Sequence, residues 1–340
     1  FENKEYFEEH FPADFICEGL DQTRGWFYTL TVLAAGLFDK PAFLNCITNG
    51  IVLTPEGKKM SKSARNYTDP MEIVNTYGAD SLRFALMNSA VVRAEDLKFS
   101  EDSVKDVLKN LIIPLWNAYS FFVTYANIDG YEPSETPYEK LSNPMDTWII
   151  SSSEKLIEEV TLAFDAYDIQ KACALFVPFI DDLNNWYIRR SRRRFWRSEN
   201  DGDKKEAYDT LYRVLMTFIH IAAPIIPFTT EEMYQNLKTE DMSQSIHLAL
   251  YPEYQSGQRD VELEKKMALT QKAIVMGRSL RASNNLKTRQ PLKTLFLVDR
   301  TEEEREVLFS MRDIIAEELN VKEVLIQEDE SGLVSYSAKA

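Results

Sequence analysis

The sequence has no run of about 18 apolar residues, and its opening stretch, FENKEYFEEHF, holds no apolar signal core. Neither a membrane-spanning helix nor an export signal is expected. Only three cysteines occur in 340 residues, Cys17, Cys46 and Cys173, each flanked by apolar or small neighbours. Spacing that wide argues against a disulfide framework, and we expect reduced core thiols in a cytoplasmic protein. The three histidines, His10, His220 and His247, are equally scattered, so no Cys/His cluster is available and no structural metal is expected. Excess positive charge is missing too. With 39 Lys and Arg against 54 Asp and Glu, the formal net charge is −15, which argues against nonspecific coating of nucleic acid but leaves room for a local basic face. There is no internal repeat or low-complexity tract.

What is present suits a soluble protein with ample core, at 44% hydrophobic and 27% charged residues, and the length predicts two or three domains. The first part alternates short apolar runs with helical patterns: DFICEG (14–19), a helix from about Asp21 to Phe38, then AFLNCITNG and IVLT on either side of Gly50. Strand, helix, strand predicts a parallel sheet. Pro70 marks a further helix start, at the first helical position where its missing N–H costs nothing.

From about Ser100 the strand signals stop. Apolar residues at three- and four-residue spacing predict helices over roughly 101–127, 144–165, 168–197, 204–221 and 229–237, an antiparallel bundle. Thr229 with Glu232 three residues on reads as a capping box, and 127–144 as a loop. After Gln255-Ser256-Gly257 come a helix to about Ser283 and a small α/β unit of strand 294–298, helix 302–319 and strand 322–328. The fold class expected is therefore mostly α, with an α/β part before the bundle and a small α/β unit after it.

In an open parallel sheet, ligands bind beyond the carboxyl ends of the strands. The first strand ends in EGLDQTRGWF (18–27), which delivers Glu18, Asp21 and Gln22 beside Trp26, polar groups next to an aromatic wall. The structural alternative is a strand-to-helix turn with Asp21 as N-cap and Trp26 as core. GKKMSKSARN (57–66) concentrates Lys58, Lys59, Lys62 and Arg65 in one loop. Such a loop is either a solvated turn or a set of flexible cations that meet a polyphosphate, for which lysine is suited as a compact charge on a long stem. A third segment, WYIRRSRRRFWR (186–197), holds six arginines interleaved with aromatics. On a helix, Arg189, Arg193 and Trp196 share one face while Arg190, Arg194 and Arg197 fall on the next. Some should pair with acids such as Asp181 or Asp182 inside the bundle, and the rest face phosphates.

KMSKS (59–63) resembles, letter for letter, the second signature of class I aminoacyl-tRNA synthetases, and EGLDQTRGWF upstream is similar to the isoleucyl branch. YGADSLR (77–83), NNWYIRRSRRRFW (184–196), AAPIIPFTTEEMY (222–234) and NNLKTRQPL (284–292) resemble further family stretches in the family's order. The resemblance implies a Rossmann-like catalytic part at 1–100, an α-helical anticodon-binding domain at 101–256, and a linker helix with a small α/β domain at 257–340. It implies that Glu18 and Gly19 bind the adenylate, that Asp21, Gln22 and Trp26 line the amino-acid site, and that Lys62, helped by Lys59, binds ATP phosphates and stabilises the transition state. tRNA contacts are implied for Arg189, Arg190, Arg193 and Arg194, with Lys287 and Arg289 as further candidates.

The partners implied are isoleucine, ATP as its Mg2+ complex and tRNA(Ile), in a monomeric cytoplasmic enzyme that makes isoleucyl-adenylate and passes the acyl group to tRNA. The sequence departs from the family in one respect. None of the histidines sits in a HIGH-type motif, and the first half of the nucleotide fold and the editing domain are missing, so a C-terminal fragment, inactive alone, is expected. Two other readings stay open: a tRNA-binding module with an inert catalytic remnant, and a valyl-type synthetase.

Overall fold

The computed structural model describes residues 2–60, 66–134, 136–196 and 202–328. Tertiary contacts divide the chain into two units, 1–257 and 258–340. Among the described residues no helix is long and apolar enough to cross a membrane.

In the first unit a short helix α1 (Lys4–His10) precedes strand β1 (Ala13–Gly19); a 3-10 turn (Leu20–Arg24) then leads into helix α2 (Trp26–Phe38) and strand β2 (Phe43–Asn49). β1 and β2 pair in parallel, with Phe15 opposite Asn45 and Glu18 opposite Thr48, as a strand–helix–strand pattern demands. Helix α1 was not foreseen, because its polar sequence carries no apolar periodicity and none of its residues is buried. Gly50 follows β2 where the chain presses on Glu95: a Cβ there would lie 1.8 Å from the Glu95 carbonyl oxygen. That close approach lets β3 (Val52–Leu53) pair in parallel with β4 (Leu97–Lys98). Between them run α3 (Pro70–Tyr77), capped by the Asp69 carboxylate on the Met71 N–H, and α4 (Ala79–Met87).

The cysteine expectation needs correcting. Cys173 is buried, and burial pushes its thiol up to about 12, but Cys17 and Cys46 are exposed. They sit on the two-stranded β1–β2 sheet, where Phe15 and Leu44 are exposed as well, because two strands present too little surface to bury both faces.

The bundle comprises α5 (Glu101–Val107), α6 (Ile113–Asp129), α7 (Pro144–Asp165), α8 (Ile169–Ala174), α9 (Phe176–Asp182), α10 (Arg189–Trp196), α11 (Gly202–Ala222) and α12 (Pro227–Leu237). Leu111, Leu115, Phe176, Phe218 and Ile219 are fully buried in its core. Two predicted continuous helices are interrupted by wider, π-type turns, Leu108–Ile112 and Leu183–Ile188. Proline explains the first: Pro114 has no N–H for the Asn110 carbonyl, so the ladder shifts register ahead of it. In the second turn Asn184 Nδ2 donates to the carbonyls of Pro114 in α6 (3.2 Å) and Ile180 (3.0 Å). An amide inserted into the ladder is a recognised cause of such a break.

The second unit begins with α13 (Val261–Ser283), started by Asp260 accepting from the Leu263 N–H. β5 (Leu292–Val298) and β6 (Val321–Gln327) pair in parallel. The helical stretch between them, expected as one helix over 302–319, breaks at Met311 into α14 (Glu302–Ser310) and α15 (Arg312–Leu319).

Candidate functional site

The carboxyl end of β1 delivers the first group of residues. Glu18 and Asp21 are exposed, and Gly19 and Gln22 are half-buried. Asp21 does not cap the helix. The acceptor for the Trp26 N–H is the Gln22 side-chain oxygen at 2.9 Å, while the Gln22 amide nitrogen donates to Asp21 Oδ2 at 3.1 Å. The 3-10 turn is the reason, since it places Gln22 four residues before the first helical residue. At Gly19 a Cβ would stand 2.6 Å from Asp21 Oδ1, so the turn keeps the carboxylate against bare backbone. Trp26 is 48% exposed and is not a core residue; its neighbour Phe27 is the one that is buried.

The lysine loop starts from a tight turn. Thr54 donates its N–H to the Lys58 carbonyl (2.8 Å), Gly57 donates to the Thr54 carbonyl (2.8 Å), and Gly57 takes φ of +80°, which favours glycine. Lys59 is exposed on an antiparallel bridge to Leu53, and its carbonyl accepts from Asn66 Nδ2 at 3.1 Å. Lys62, Ser61, Ser63 and Arg65 lie outside the described residues.

Two of the family-like stretches bind one another. Helix α12 begins at Pro227, two residues ahead of the predicted capping box, and carries no side-chain cap of its own. Its orphan donors are met from α4: Asp80 Oδ2 accepts the Thr229 N–H at 2.6 Å, and Oδ1 the Phe228 N–H at 3.4 Å. Asp80 is buried, and Arg83 donates to the carbonyls of Ile225 and Pro224, each at 3.2 Å. The capping-box reading is thus replaced by a cap from about 150 residues upstream, which sequence spacing cannot reveal. The signal available was YGADSLR itself, an acid and a base three residues apart.

Helix α10 divides its arginines. Arg189, Arg192 and Arg193 are exposed, Arg190 is half-buried and Arg194 is buried; Arg197 lies outside the described residues. Arg194 makes a two-pronged pair with Asp146 (2.8 and 2.6 Å) and a further ion pair with Asp203 at 2.8 Å. Burial alone would lower its pKa, but the Asp146 carboxylate outweighs this and holds the guanidinium firmly charged. The expected acid partners, Asp181 and Asp182, are therefore not those of Arg194: Asp146 comes from α7, and its other donor is the buried Tyr187 hydroxyl at 2.7 Å. Arg194 is buried in the bundle and engaged by these carboxylates, not in the exposed position expected of a phosphate contact.

Beside the exposed arginines runs a groove floored by Pro114, Phe121 and Ile188 and edged by Asn117, Asn185 and Arg192. Sequence periodicity did not single out these amides, because polar residues on an exposed helix face carry no pattern of their own. At the bundle's other polar cluster, Asp209 accepts from Tyr131, Ser134, Thr136 and Lys205, and Glu206 accepts from Ser142 and the Asn143 N–H. In the second unit Lys287 and Arg289 are exposed in the turn between α13 and β5.

Residues 1–98 match the family described as tRNA synthetases class I (I, L, M and V), and residues 146–296 match the anticodon-binding domain of tRNA ligase. The chain is similar to the isoleucine–tRNA ligase of Treponema denticola, 60% identical over 100% of this chain and 32% of that protein. It is 53% identical to that of Treponema pallidum (strain Nichols), over 100% of this chain and 32% of that protein, and 48% identical to that of Protochlamydia amoebophila, over 100% and 33%. The chain thus spans about a third of the length of these curated relatives. Its fold resembles a leucyl enzyme from Agrobacterium radiobacter K84 solved with tRNA and LeuAMS (TM-score 0.57, 18% identity, 73% of this chain, 30% of that one). It also resembles methionyl-tRNA synthetase of Mycobacterium tuberculosis solved with methionyl-adenylate (TM-score 0.55, 22% identity, 68% of this chain, 45% of that one).

Proposed function

The chain belongs to the class I tRNA synthetases, in their isoleucyl branch, and from that premise we propose that it is the part of an isoleucine–tRNA ligase that carries the KMSKS loop and the tRNA-binding bundle. The observation that carries this reading is identity of 48–60% to isoleucine–tRNA ligases over all or nearly all of the chain. In the parent, an isoleucine carboxylate oxygen attacks the α-phosphorus of ATP, the bond to the β-phosphate oxygen breaks, and pyrophosphate leaves. A ribose hydroxyl at the tRNA terminus then attacks the acyl carbon and AMP departs. ATP enters as its Mg2+ complex, a substrate.

Little covalent work falls to the protein, so positioning and electrostatics supply the acceleration. Glu18 holds ribose hydroxyls of the adenylate, and Gly19 keeps the backbone low beside it. Asp21 and Gln22 face the amino acid's polar end; the hydrogen bonds that tie Gln22 to Asp21 and to the start of α2 support this by fixing both side chains. Trp26, half-exposed beside them, forms the apolar wall for the side chain. Lys62 stabilises the charge that develops on the phosphates, with Lys59 as helper. Arg189, Arg190, Arg193, Lys287 and Arg289 meet tRNA phosphates; exposure of all but the half-buried Arg190 supports this. The domains are 1–100 catalytic, 101–256 anticodon-binding and 257–340 a small α/β unit, in a monomeric cytoplasmic protein.

The test is isoleucine-dependent exchange of pyrophosphate into ATP, measured on the protein at the full length of its relatives. Lys62→Ala should slow single-turnover adenylate formation about a hundredfold while isoleucine binding changes little. Unchanged adenylate formation would sink the Lys62 role, and exchange driven by valine rather than isoleucine would transfer the chain to the valyl branch. If the full-length protein bound tRNA(Ile) without any exchange, the binding-module reading would replace the enzyme.

A further inference from the structure

Arg281, near the end of α13, is 5% exposed, yet the acceptors it meets are backbone carbonyls rather than a carboxylate. Nη1 donates to Lys287 and Gln290, both at 3.0 Å, and Nη2 donates to Leu319 (2.6 Å) and Asn320 (3.2 Å). One planar guanidinium therefore ties the turn after α13 to the end of α15, using the fixed fork that lysine lacks. The same turn is held twice more: Asn320 Nδ2 donates to the Thr288 carbonyl at 3.1 Å, and Leu286 donates its N–H to the Arg281 carbonyl at 2.8 Å. Every backbone anchor points inward. The side chains of Lys287, Thr288, Arg289 and Gln290 are left exposed.

The strand register gathers more charge at this edge. Leu292 pairs with Val321, so the next residues along, Lys293 and Lys322, start the two strands side by side, and both are exposed. Four cations thus collect at one end of a unit in a chain of net charge −15. From this we propose that the 286–291 turn, with Lys293 and Lys322, is a preformed cradle for RNA phosphates, and that Arg281 is its positioning residue, fixing the turn without touching RNA. The proposal rests on the tRNA reading above and deepens it. Preforming matters because a turn already fixed in its binding shape does not lose conformational freedom on association.

The test is binding of this 340-residue chain to a tRNA(Ile) transcript across a salt series, followed by fluorescence anisotropy. Lys287→Gln and Arg289→Gln should each lower the slope of log affinity against log salt by about one unit. Arg281→Lys keeps the charge but cannot reach four carbonyls, so it should also flatten the slope, and adding it to the Lys287→Gln, Arg289→Gln double variant should change nothing further. Asn320→Gly provides an independent arm in case Arg281→Lys fails to fold: glycine keeps the left-handed φ of 48° and removes only the tie to Thr288, and the slope should again fall.

A folded Arg281→Lys or Asn320→Gly variant that binds like the parent, while Lys287→Gln and Arg289→Gln bind less well, would overturn the positioning role and leave tRNA contact standing. Parental binding by the Lys287 and Arg289 variants would overturn the cradle while the tRNA reading survives on the bundle. No binding of tRNA by the chain would overturn both.

Discussion

Removing the Asp80 carboxylate asks whether α4 caps α12. The 2.6 Å bond from the Thr229 N–H is short and charge-assisted, and it is made by a buried group, so its loss should cost about 1.5–3 kcal/mol. The 3.4 Å contact from Phe228 adds little. A negative charge at a helix N-terminus contributes a further 0.3–1 kcal/mol or so. Asp80→Ala should therefore destabilise by about 2–4 kcal/mol, read as a fall in the urea midpoint by far-UV circular dichroism with the slope unchanged. Asp80→Asn keeps an acceptor oxygen and loses the charge, so about 1 kcal/mol is expected. Thr229→Ala is the control. If Thr229 and Glu232 formed a capping box, it would cost about 1 kcal/mol; with Asp80 as the cap it should stay within about 0.5 kcal/mol. A costly Thr229→Ala beside a neutral Asp80→Ala would refute the reasoning.

Asp146→Ala removes the two-pronged partner of the buried Arg194, which keeps Asp203, and leaves the buried Tyr187 hydroxyl without that acceptor; it should cost about 3 kcal/mol, whereas Arg193→Gln on the exposed face should stay within about 0.5 kcal/mol, and urea midpoints of the two variants compare them directly. Acid should loosen the bundle from its polar cluster. Burial would raise the Asp209 and Glu206 carboxyls, but hydrogen bonds from Ser134, Thr136 and Lys205 to the one, and from Asn143 and Ser142 to the other, outweigh it and hold both below their usual values. Depressed carboxylates stabilise the fold above their unfolded values near pH 4, and that contribution is lost as pH falls below them toward the folded values. Asp209→Asn should therefore flatten the acid limb of a stability–pH curve, and an unchanged limb would count against the cluster. Trp26→Ala, at a half-exposed position, should lower stability by about 1 kcal/mol or less; a loss of 3 kcal/mol or more in thermal melting would mean that Trp26 is core after all.

Periodicity made the bundle legible, because apolar residues at three- and four-residue spacing, such as Ile149, Leu156, Val160 and Ala163 of α7, are buried, although α11 is buried nearly all round. Parallel pairing of β1 and β2 was readable for the same kind of reason, since the crossover needs a helix between them. What could not be read was every feature decided by a distant partner. Nothing in the spacing around Thr229 announces Asp80, and nothing around Arg194 announces Asp146, 48 residues away. The exposure of Cys17 and Cys46 escaped for the complementary reason: apolar neighbours in sequence imply burial only where a second layer covers the sheet. At the candidate site EGLDQTRGWF predicted a strand-to-helix turn, but the use of Gln22 rather than Asp21 to start α2 depended on a 3-10 turn that no local pattern marks.

The Asp80 contact also bears on how the lysine loop is held. On its N-terminal side the loop is tied by the Leu53–Lys59 bridge and the Thr54–Lys58 turn. On its C-terminal side Asn66 bonds the Lys59 carbonyl, the Thr68 hydroxyl bonds Glu101 at the start of α5, and Asp69 caps α3. Helix α3 passes through Gly78 directly into α4, which Asp80 and Arg83 fasten to the start of α12. The Arg93–Asp168 ion pair joins the turn that follows α4 to the start of α8, but with side chains 51% and 30% exposed it is worth little. The buried Asp80 bonds, with Phe84 of α4 packed near Phe176 of α9, thus link the C-terminal flank of the lysine loop to the helical bundle, while its N-terminal flank rests on β3. A substitution that weakens the Asp80 cap should therefore disturb the lysine loop's anchorage before it disturbs Glu18 and Gln22, whose turn depends on contacts local to β1 and α2.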